Sequence, residues 1–167
     1  MSTGLPHTGL VTIEIERKFM LSEALGAERL GPGVHIRQGY LAEQESVEVR
    51  LRITSDTATL TVKAGTGLSR TEVEIAVSAE QADTLWPHTA RRRIDKTRHR
   101  VLLDDPLGHV AEVDVYAGSL TGLCVTEVEF SSEADAAAFA RPDWFGRELT
   151  GDPDWSNAAL ARHGRPG

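Results

Sequence analysis

Hydrophobic and polar residues alternate with a period of two along most of the chain, a pattern typical of β-strands with one apolar and one polar face. Eight runs show it, at residues 11–19, 35–41, 47–53, 58–63, 70–77, 94–103, 110–116 and 125–130. Strands dominate and mostly follow one another as in hairpins. The pattern therefore predicts a mainly β protein of the α+β class with an eight-stranded antiparallel barrel.

Helical signals separate some of these strands. Ser78-Ala79-Glu80-Gln81 has the form of a capping box and predicts a helix that ends before Pro87. Ser132 predicts the cap of a second helix over residues 133–140. Weaker signals predict two more helices, over residues 22–30 and 154–162. We expect these short helices to pack on the outside of a closed barrel.

Charged residues share one face of nearly every predicted strand, because residues i and i+2 point to the same side. In a single strand this pattern ordinarily marks a solvated face. Four strands, however, place two carboxylates on one face at i and i+2, roughly 7 Å apart. Separate groups of acids and bases suit a site for hard divalent cations and phosphates. If the sheet closes, the following residues line an internal tunnel: Glu14, Glu16, Lys18, Glu48, Arg50, Arg52, Lys63, Arg70, Glu72, Glu74, Lys96, Arg98, Arg100, Glu112, Asp114, Glu127 and Glu129.

Length and composition fit one small domain. The chain has 167 residues, of which 40% are hydrophobic and 26% charged. We expect a flexible N-terminus over residues 1–10, one tunnel domain over 11–163 and a flexible C-terminus over 164–167. The sequence shows neither a long apolar run nor a signal peptide, which predicts no membrane association. The single cysteine, Cys124, fits a reducing, cytoplasmic location, and the net charge of −7 argues against nucleic-acid binding.

The segment Glu14-Ile15-Glu16-Arg17-Lys18 carries a Glu-x-Glu-x-Lys motif. Further sequence blocks follow this motif in the order found in the CYTH superfamily, also called triphosphate tunnel metalloenzymes. With these blocks, residues 12–162 resemble that superfamily. The chain is most similar to the small single-domain inorganic triphosphatases of bacteria. The supporting blocks are Arg37–Leu41, Val49–Arg52, Leu60–Lys63, Leu68–Arg70, Lys96–Arg98, Glu112–Tyr116, Thr126–Phe130, Trp144–Thr150 and Trp155–Ala161.

The resemblance implies roles for individual residues. The metal, Mg²⁺ or Mn²⁺, would be bound by Glu14, Glu16, Glu127 and Glu129, assisted by Glu112 and Asp114. The triphosphate would be bound by Lys18, Arg50, Arg52, Lys63, Arg70 and Arg98. A catalytic dyad would consist of Tyr40 and Lys96. The resemblance also allows a homodimer.

The expected reaction is hydrolysis of tripolyphosphate to pyrophosphate and phosphate. Tyr40 would orient or deprotonate the attacking water, and an adjacent Lys96 ammonium would lower the pKa of the phenol from about 10. Other substrates of the same tunnel are thiamine triphosphate and nucleoside triphosphates. A class IV type adenylyl cyclase is a further alternative, although no aromatic or amide cluster marks a base pocket. A non-catalytic triphosphate sensor is another, but it has little use for so many carboxylates.

Overall fold

A single antiparallel sheet of nine strands dominates the computed structural model, which describes residues 10–21, 25–65 and 69–167. Eight strands follow the runs of alternating residues, and a ninth, of four residues, was not predicted. The strands are β1 (Leu10–Leu21), β2 (Gly33–Gln44), β3 (Val47–Ile53), β4 (Ala58–Ala64), β5 (Ser69–Val77), β6 (Arg93–Leu102), β7 (Val110–Tyr116), β8 (Cys124–Glu129) and β9 (Phe145–Glu148).

The sheet closes through β1, whose two halves pair with different neighbours. Residues 10–15 pair antiparallel with β5, and residues 16–20 pair antiparallel with β8. The other strands connect β5 to β8 in the order β5-β4-β3-β2-β6-β7-β8. Strands β1–β8 therefore form a closed eight-stranded antiparallel barrel, as predicted. Strand β9 adds to the edge of β1 at Phe19 and Leu21.

The helices are short, and none in the described residues is long and apolar enough to cross a membrane. In the confirmed capping box, the Ser78 hydroxyl accepts from the Gln81 amide at 3.2 Å. The helix predicted over 154–162 starts later, because Pro153–Trp155 form a 3₁₀ turn. Residues 22–24 of the first predicted helix lie outside the described residues. The helices are α1 (Ala27–Leu30), α2 (Ala79–Leu85), α3 (Glu133–Ala138) and α4 (Asn157–His163).

The barrel has an apolar outer face under α3 and β9. Phe19 of β1, Val128 of β8 and Phe145 of β9 are almost completely buried there. The rings of Phe19 and Phe145 lie 5.0 Å apart. Phe19 and Val128 have the opposite parity to Glu16 and Lys18 of β1 and to Glu127 and Glu129 of β8, so their burial on the outer face directs these four charged side chains into the barrel.

A second apolar cluster fills one end of the barrel interior. Ile94 and Tyr116 share their strand faces with charged residues, and Tyr40 lies opposite Arg50 of β3, but all three are only 1–3% exposed. Trp155 and Leu160 of α4 and its preceding turn pack on them. The inward face is therefore apolar at this end and charged elsewhere, which leaves a cavity bounded by α4.

Candidate active site

The charged strand faces meet around an internal cavity of about 480 Å³. Seven of the eight barrel strands contribute to its wall, and α4 contributes from one end. Among the described residues, the wall carries eight glutamates against six lysines and arginines, so negative charge is in excess. The charged lining residues are Glu14, Glu16, Lys18, Glu48, Arg50, Arg52, Lys63, Arg70, Glu72, Glu74, Arg98, Glu112, Glu127 and Glu129.

Cross-strand register places acids opposite bases on one side of the cavity. Glu72 of β5 lies opposite Lys63 of β4, and the Lys63 ammonium is 2.7 Å from a Glu72 oxygen and 2.5 Å from a Glu14 oxygen. Glu14 itself lies opposite Arg70, which also pairs with Glu16. These residues form a continuous ion-pair network, because Lys63 of β4 reaches carboxylates of β5 and β1, and Arg70 of β5 reaches two carboxylates of β1.

Arg98 of β6 connects the acids on the opposite side. Its guanidinium donates to Asp114 at 2.7 Å, to Glu127 at 2.6 Å and to Glu112. Although burial opposes ionisation, Lys96 and Arg98 hold the pKa of Asp114 below its ordinary value. Asp114 has no exposed surface and lies behind the cavity wall, unlike Glu112 and Glu127.

Two glutamates of the wall have raised pKa values, Glu16 and Glu129, which lie opposite one another on β1 and β8. Burial and the Glu127 carboxylate raise the pKa of Glu16. Partial removal from water and the carboxylates of Glu112 and Glu14 raise the pKa of Glu129, which makes no salt bridge within the described chain. Raised carboxylate pKa values mark a place where added positive charge is favourable.

The donors around Glu16 and Glu129 are carboxylate oxygens, the ligands that hard cations such as Mg²⁺ and Mn²⁺ prefer. The residues therefore fit a divalent ion by their chemistry. Within residues 10–21, 25–65 and 69–167, no three acidic, histidine or cysteine side chains already converge as a ready-made ligand set. Most of the acids, including Glu14, Glu16 and Glu127, instead engage neighbouring lysines and arginines.

Arg52 differs from the other cations of the cavity. Its only hydrogen bond to a described residue runs from Nε to the Gln38 amide oxygen, at 3.2 Å. It has no carboxylate partner in the described part of the chain, whereas every other lysine and arginine of the wall has at least one. Burial and the neighbouring charges of Arg50 and Arg98 lower the pKa of Arg52. An anion in the cavity would relieve this repulsion.

Tyr40 and Lys96, predicted as a catalytic dyad, have different partners in the structure. The Lys96 ammonium is 2.5 Å from Asp114, while the Tyr40 hydroxyl accepts from the Gln38 amide at 2.6 Å. Burial lowers the pKa of Lys96 to about 8. Burial and the Glu48 carboxylate raise the pKa of Tyr40. The lowering expected from an adjacent Lys96 is therefore not found in this arrangement, and the dyad stays a prediction.

Sequence reasoning placed the cavity acids and bases. It also placed Lys96, Arg100 and Asp114 in the lining, where the structure does not have them, and it omitted three polar residues. Gln38 is completely buried and contacts both Arg52 and Tyr40; its i and i+2 spacing from Tyr40 was the available signal. Ser156 and Asn157 also line the cavity. No strand periodicity marks these two, because they belong to the start of α4.

Residues 12–151 match the CYTH domain, so the chain belongs to this family. The inorganic triphosphatase of Nitrosomonas europaea is 45% identical over 149 residues, which cover 89% of this chain and 96% of that protein. The inorganic triphosphatase of Acetivibrio thermocellus is 36% identical over 152 residues, which cover 90% of this chain and 94% of that protein.

Solved structures share the same fold. The crystal structure of the inorganic triphosphatase NE1496 superposes with a TM-score of 0.66 at 41% identity, covering 92% of this chain and 97% of that chain. The PH1012 protein of Pyrococcus horikoshii superposes with a TM-score of 0.54 at 17% identity, covering 74% of this chain and 84% of that chain. At this lower identity the likeness concerns the fold alone.

Proposed function

We propose that this protein is a metal-dependent inorganic triphosphatase, which hydrolyses tripolyphosphate to pyrophosphate and phosphate inside the barrel. The observation that carries the proposal is the cavity wall of interleaved glutamates, lysines and arginines. The relatives of similar length that are called inorganic triphosphatases support the same reaction. A cytoplasmic location belongs to the proposal and is supported by the single cysteine.

We assign the metal to the acids around the opposed pair Glu16 and Glu129. Mg²⁺ or Mn²⁺ would be bound by Glu14, Glu16, Glu127 and Glu129, with Glu112 and Asp114 in support. When bound, such an ion supplies charge neutralisation at phosphate oxygens. Asp114 is completely buried and already binds Lys96 and Arg98, so its support would consist of fixing these cations.

The basic residues of the wall would bind and align the substrate. Lys18, Arg50, Arg52, Lys63, Arg70 and Arg98 approach the cavity from different strands. Phosphoryl transfer depends mainly on positioning and on stabilising charge. Cations arriving from several directions can hold a chain of phosphates in line with an attacking water.

Tyr40 and Lys96 do not line the cavity and would act on the reacting phosphate from directly behind its wall. Because the pKa of Tyr40 is raised, its hydroxyl remains protonated near neutral pH and would orient a water or a phosphate oxygen by donating a hydrogen bond. Lys96, whose pKa is about 8, would supply positive charge from behind the wall. The expected Tyr40→Phe phenotype is loss of most turnover with substrate binding retained.

The composition of the cavity wall also indicates which class of triphosphate is the substrate. Among the described residues that line it, none is aromatic, so no ring is available to stack on adenine or thiamine. We therefore place inorganic triphosphate ahead of nucleoside and thiamine triphosphates and ahead of cyclase activity.

Phosphate release with Mg²⁺ or Mn²⁺ tests the proposal, with tripolyphosphate, ATP and thiamine triphosphate compared at equal concentration. We expect tripolyphosphate to give the highest kcat/KM and Glu16→Gln to abolish the metal-dependent rate. Glu80→Gln, on an exposed surface of α2, is the control. Cyclic AMP formation from ATP would instead indicate a cyclase, and binding without turnover of any triphosphate would indicate a sensor.

A further inference from the structure

Gln38 is a completely buried amide in the wall behind the cavity. It lies on β2, directly opposite Arg52 of β3 and two residues before Tyr40. A buried amide is costly unless both its oxygen and its nitrogen are hydrogen-bonded. Gln38 meets this requirement through Arg52 on one side and Tyr40 on the other.

The chemistry of Arg52 fixes the direction of both hydrogen bonds. A guanidinium can only donate, so the Gln38 group that faces Arg52 Nε must be the amide oxygen. The Gln38 amide nitrogen then faces the Tyr40 oxygen, 2.6 Å away. Because that nitrogen can only donate, the Tyr40 oxygen is the acceptor.

Tyr40 keeps its own proton for another partner. Within the described residues its hydroxyl has no hydrogen bond except the one from Gln38. A buried hydroxyl proton without an acceptor is unfavourable, and an oxygen atom supplied by a ligand would remove that cost. Hydrogen bonds in series polarise one another, so the positive charge of Arg52 strengthens Tyr40 as a donor.

The other end of this chain of hydrogen bonds is suited to an anion. Arg52 lines the cavity and uses only Nε on Gln38. Both of its terminal nitrogens remain without a partner in the described chain. A phosphate oxygen on these nitrogens would form charge-assisted hydrogen bonds in a fixed geometry.

We propose that Gln38 is a positioning residue that couples the phosphate-binding Arg52 to Tyr40. Through this coupling, the Tyr40 hydroxyl is held as a hydrogen-bond donor toward a bound polyphosphate. This inference rests on the proposed function and deepens it by assigning a residue outside the cavity lining. Gln38 acts through its two neighbours and does not itself contact the substrate.

Gln38→Met tests the coupling, because methionine is similar in size but forms neither hydrogen bond. We expect kcat on tripolyphosphate to fall roughly 10- to 100-fold, as for loss of a hydrogen bond to a charged group, and KM to rise. Gln44→Met, an exposed glutamine on the same strand, is the matched control and should behave as wild type. Wild-type kinetics in Gln38→Met would overturn the proposal.

A double-mutant cycle with Tyr40→Phe separates positioning from packing. If Gln38 acts through the Tyr40 hydroxyl, Gln38→Met should reduce kcat much less in the Tyr40→Phe background than in wild type. Equal effects in both backgrounds would mean that Gln38 only fills space, and would overturn the coupling.

Gln38→Glu gives a second test with a side chain of the same shape. A carboxylate can only accept, so it would pair with Arg52 and accept a hydrogen bond from the Tyr40 hydroxyl. We expect a higher KM, because Arg52 is neutralised, and a lower kcat, because Tyr40 donates in the wrong direction. A variant that folds and matches wild type in both constants would contradict the proposal.

A readout independent of turnover distinguishes this inference from the proposed function. The chain has two tyrosines, Tyr40 and Tyr116, so ¹³C labelling of the ring carbon that bears the hydroxyl gives two assignable signals. Gln38→Met should shift the Tyr40 signal, whereas Gln44→Met should not. If wild type fails to hydrolyse tripolyphosphate, the proposed function fails, but a shifted Tyr40 signal still supports the hydrogen-bonded chain. An unshifted signal overturns the chain whatever the activity.

Discussion

Most cations of the cavity are bound to carboxylates before any ligand arrives. Lys63 bridges Glu14 and Glu72, and Lys18 lies 2.9 Å from Glu127. A polyphosphate can use these cations fully only when another positive charge takes over the carboxylates. Arg52 has no carboxylate partner among the described residues and needs no such exchange, so under the proposed function it would be the first of these cations able to bind a phosphate oxygen.

Arg52→Gln should therefore weaken substrate binding more than the loss of a cation at the rim. We expect the KM for tripolyphosphate to rise roughly 10- to 100-fold, the range for a lost hydrogen bond to a charged group. Steady-state kinetics measure the effect. Arg100→Gln is the matched control, because the Arg100 side chain is 71% exposed and lies 3.7 Å from Glu112. Equal KM values in the two variants would contradict the special role of Arg52.

The buried Lys96 ammonium should leave a signature in the pH dependence of stability. Its folded pKa of about 8 lies below the ordinary 10.5, so the unfolded chain binds more protons between these values. The free energy of unfolding should rise with pH there, by at most about 1.4 kcal/mol per pH unit.

Urea unfolding of wild type and Lys96→Met, at intervals across this pH range, measures the contribution. Lys96→Met should lack the rise and still fold, because Asp114 retains its 2.7 Å hydrogen bond from Arg98. Identical slopes in the two proteins would show that Lys96 does not titrate as its burial implies.

At the scale of elements, strand β2 is held against the 3₁₀ turn Trp86–Thr89 by a close approach at Gly39. A Cβ atom at position 39 would lie 2.5 Å from Thr89 Cβ, and Thr89 is completely buried. Gly39 lies between Gln38 and Tyr40, so this contact also fixes the strand that carries them.

Gly39→Ala should consequently destabilise the fold by about 1–3 kcal/mol, the usual cost of overpacking, and should reduce turnover by displacing Tyr40. Thermal unfolding and phosphate release measure the two effects. Adding Thr89→Gly removes the obstructing atoms and should restore part of the turnover. No recovery in the double variant would mean that the defect arises elsewhere.

Elements with regular periodicity could be predicted from the sequence, and irregular ones could not. Strand β3 alternates without interruption, so its parity alone placed Arg50 and Arg52 inside the barrel. Strand β9 has four residues, Phe145–Glu148, too few to show alternation. It is held by tertiary contacts, including the two hydrogen bonds of 2.8 Å from Arg17 to Glu148.

The same limit applies to the site. Strand parity predicted which residues face the cavity, because side-chain direction is a local property. Partner choice depends on register and on strand order, which the local pattern does not contain. The pairing of Lys96 with Asp114 and the lack of an acidic partner for Arg52 therefore emerged only from the closed barrel.

At the scale of the whole molecule, charge balance links the metal to the substrate. The wall already carries more glutamates than lysines and arginines, and a polyphosphate would add further negative charge. A divalent ion at the proposed site near Glu16 and Glu129 would correct this excess and release lysines and arginines for phosphate. Metal and tripolyphosphate should therefore bind with positive cooperativity.

Thermal unfolding with Mg²⁺, with tripolyphosphate and with both tests this linkage, in the Tyr40→Phe variant, for which we expect turnover to be low. We expect the increase in Tm with both ligands to exceed the sum of the separate increases.

Protons should compete with the metal for the carboxylates. Because the pKa values of Glu16 and Glu129 are raised, Mg²⁺ affinity should begin to fall at a higher pH than for carboxylates with the ordinary pKa of 4.5. Adding Glu129→Gln to this variant should weaken Mg²⁺ binding and reduce its pH dependence. A tripolyphosphate effect on Tm that is unchanged by EDTA would show that the wall accepts the polyanion without a metal, and the linkage would then fail.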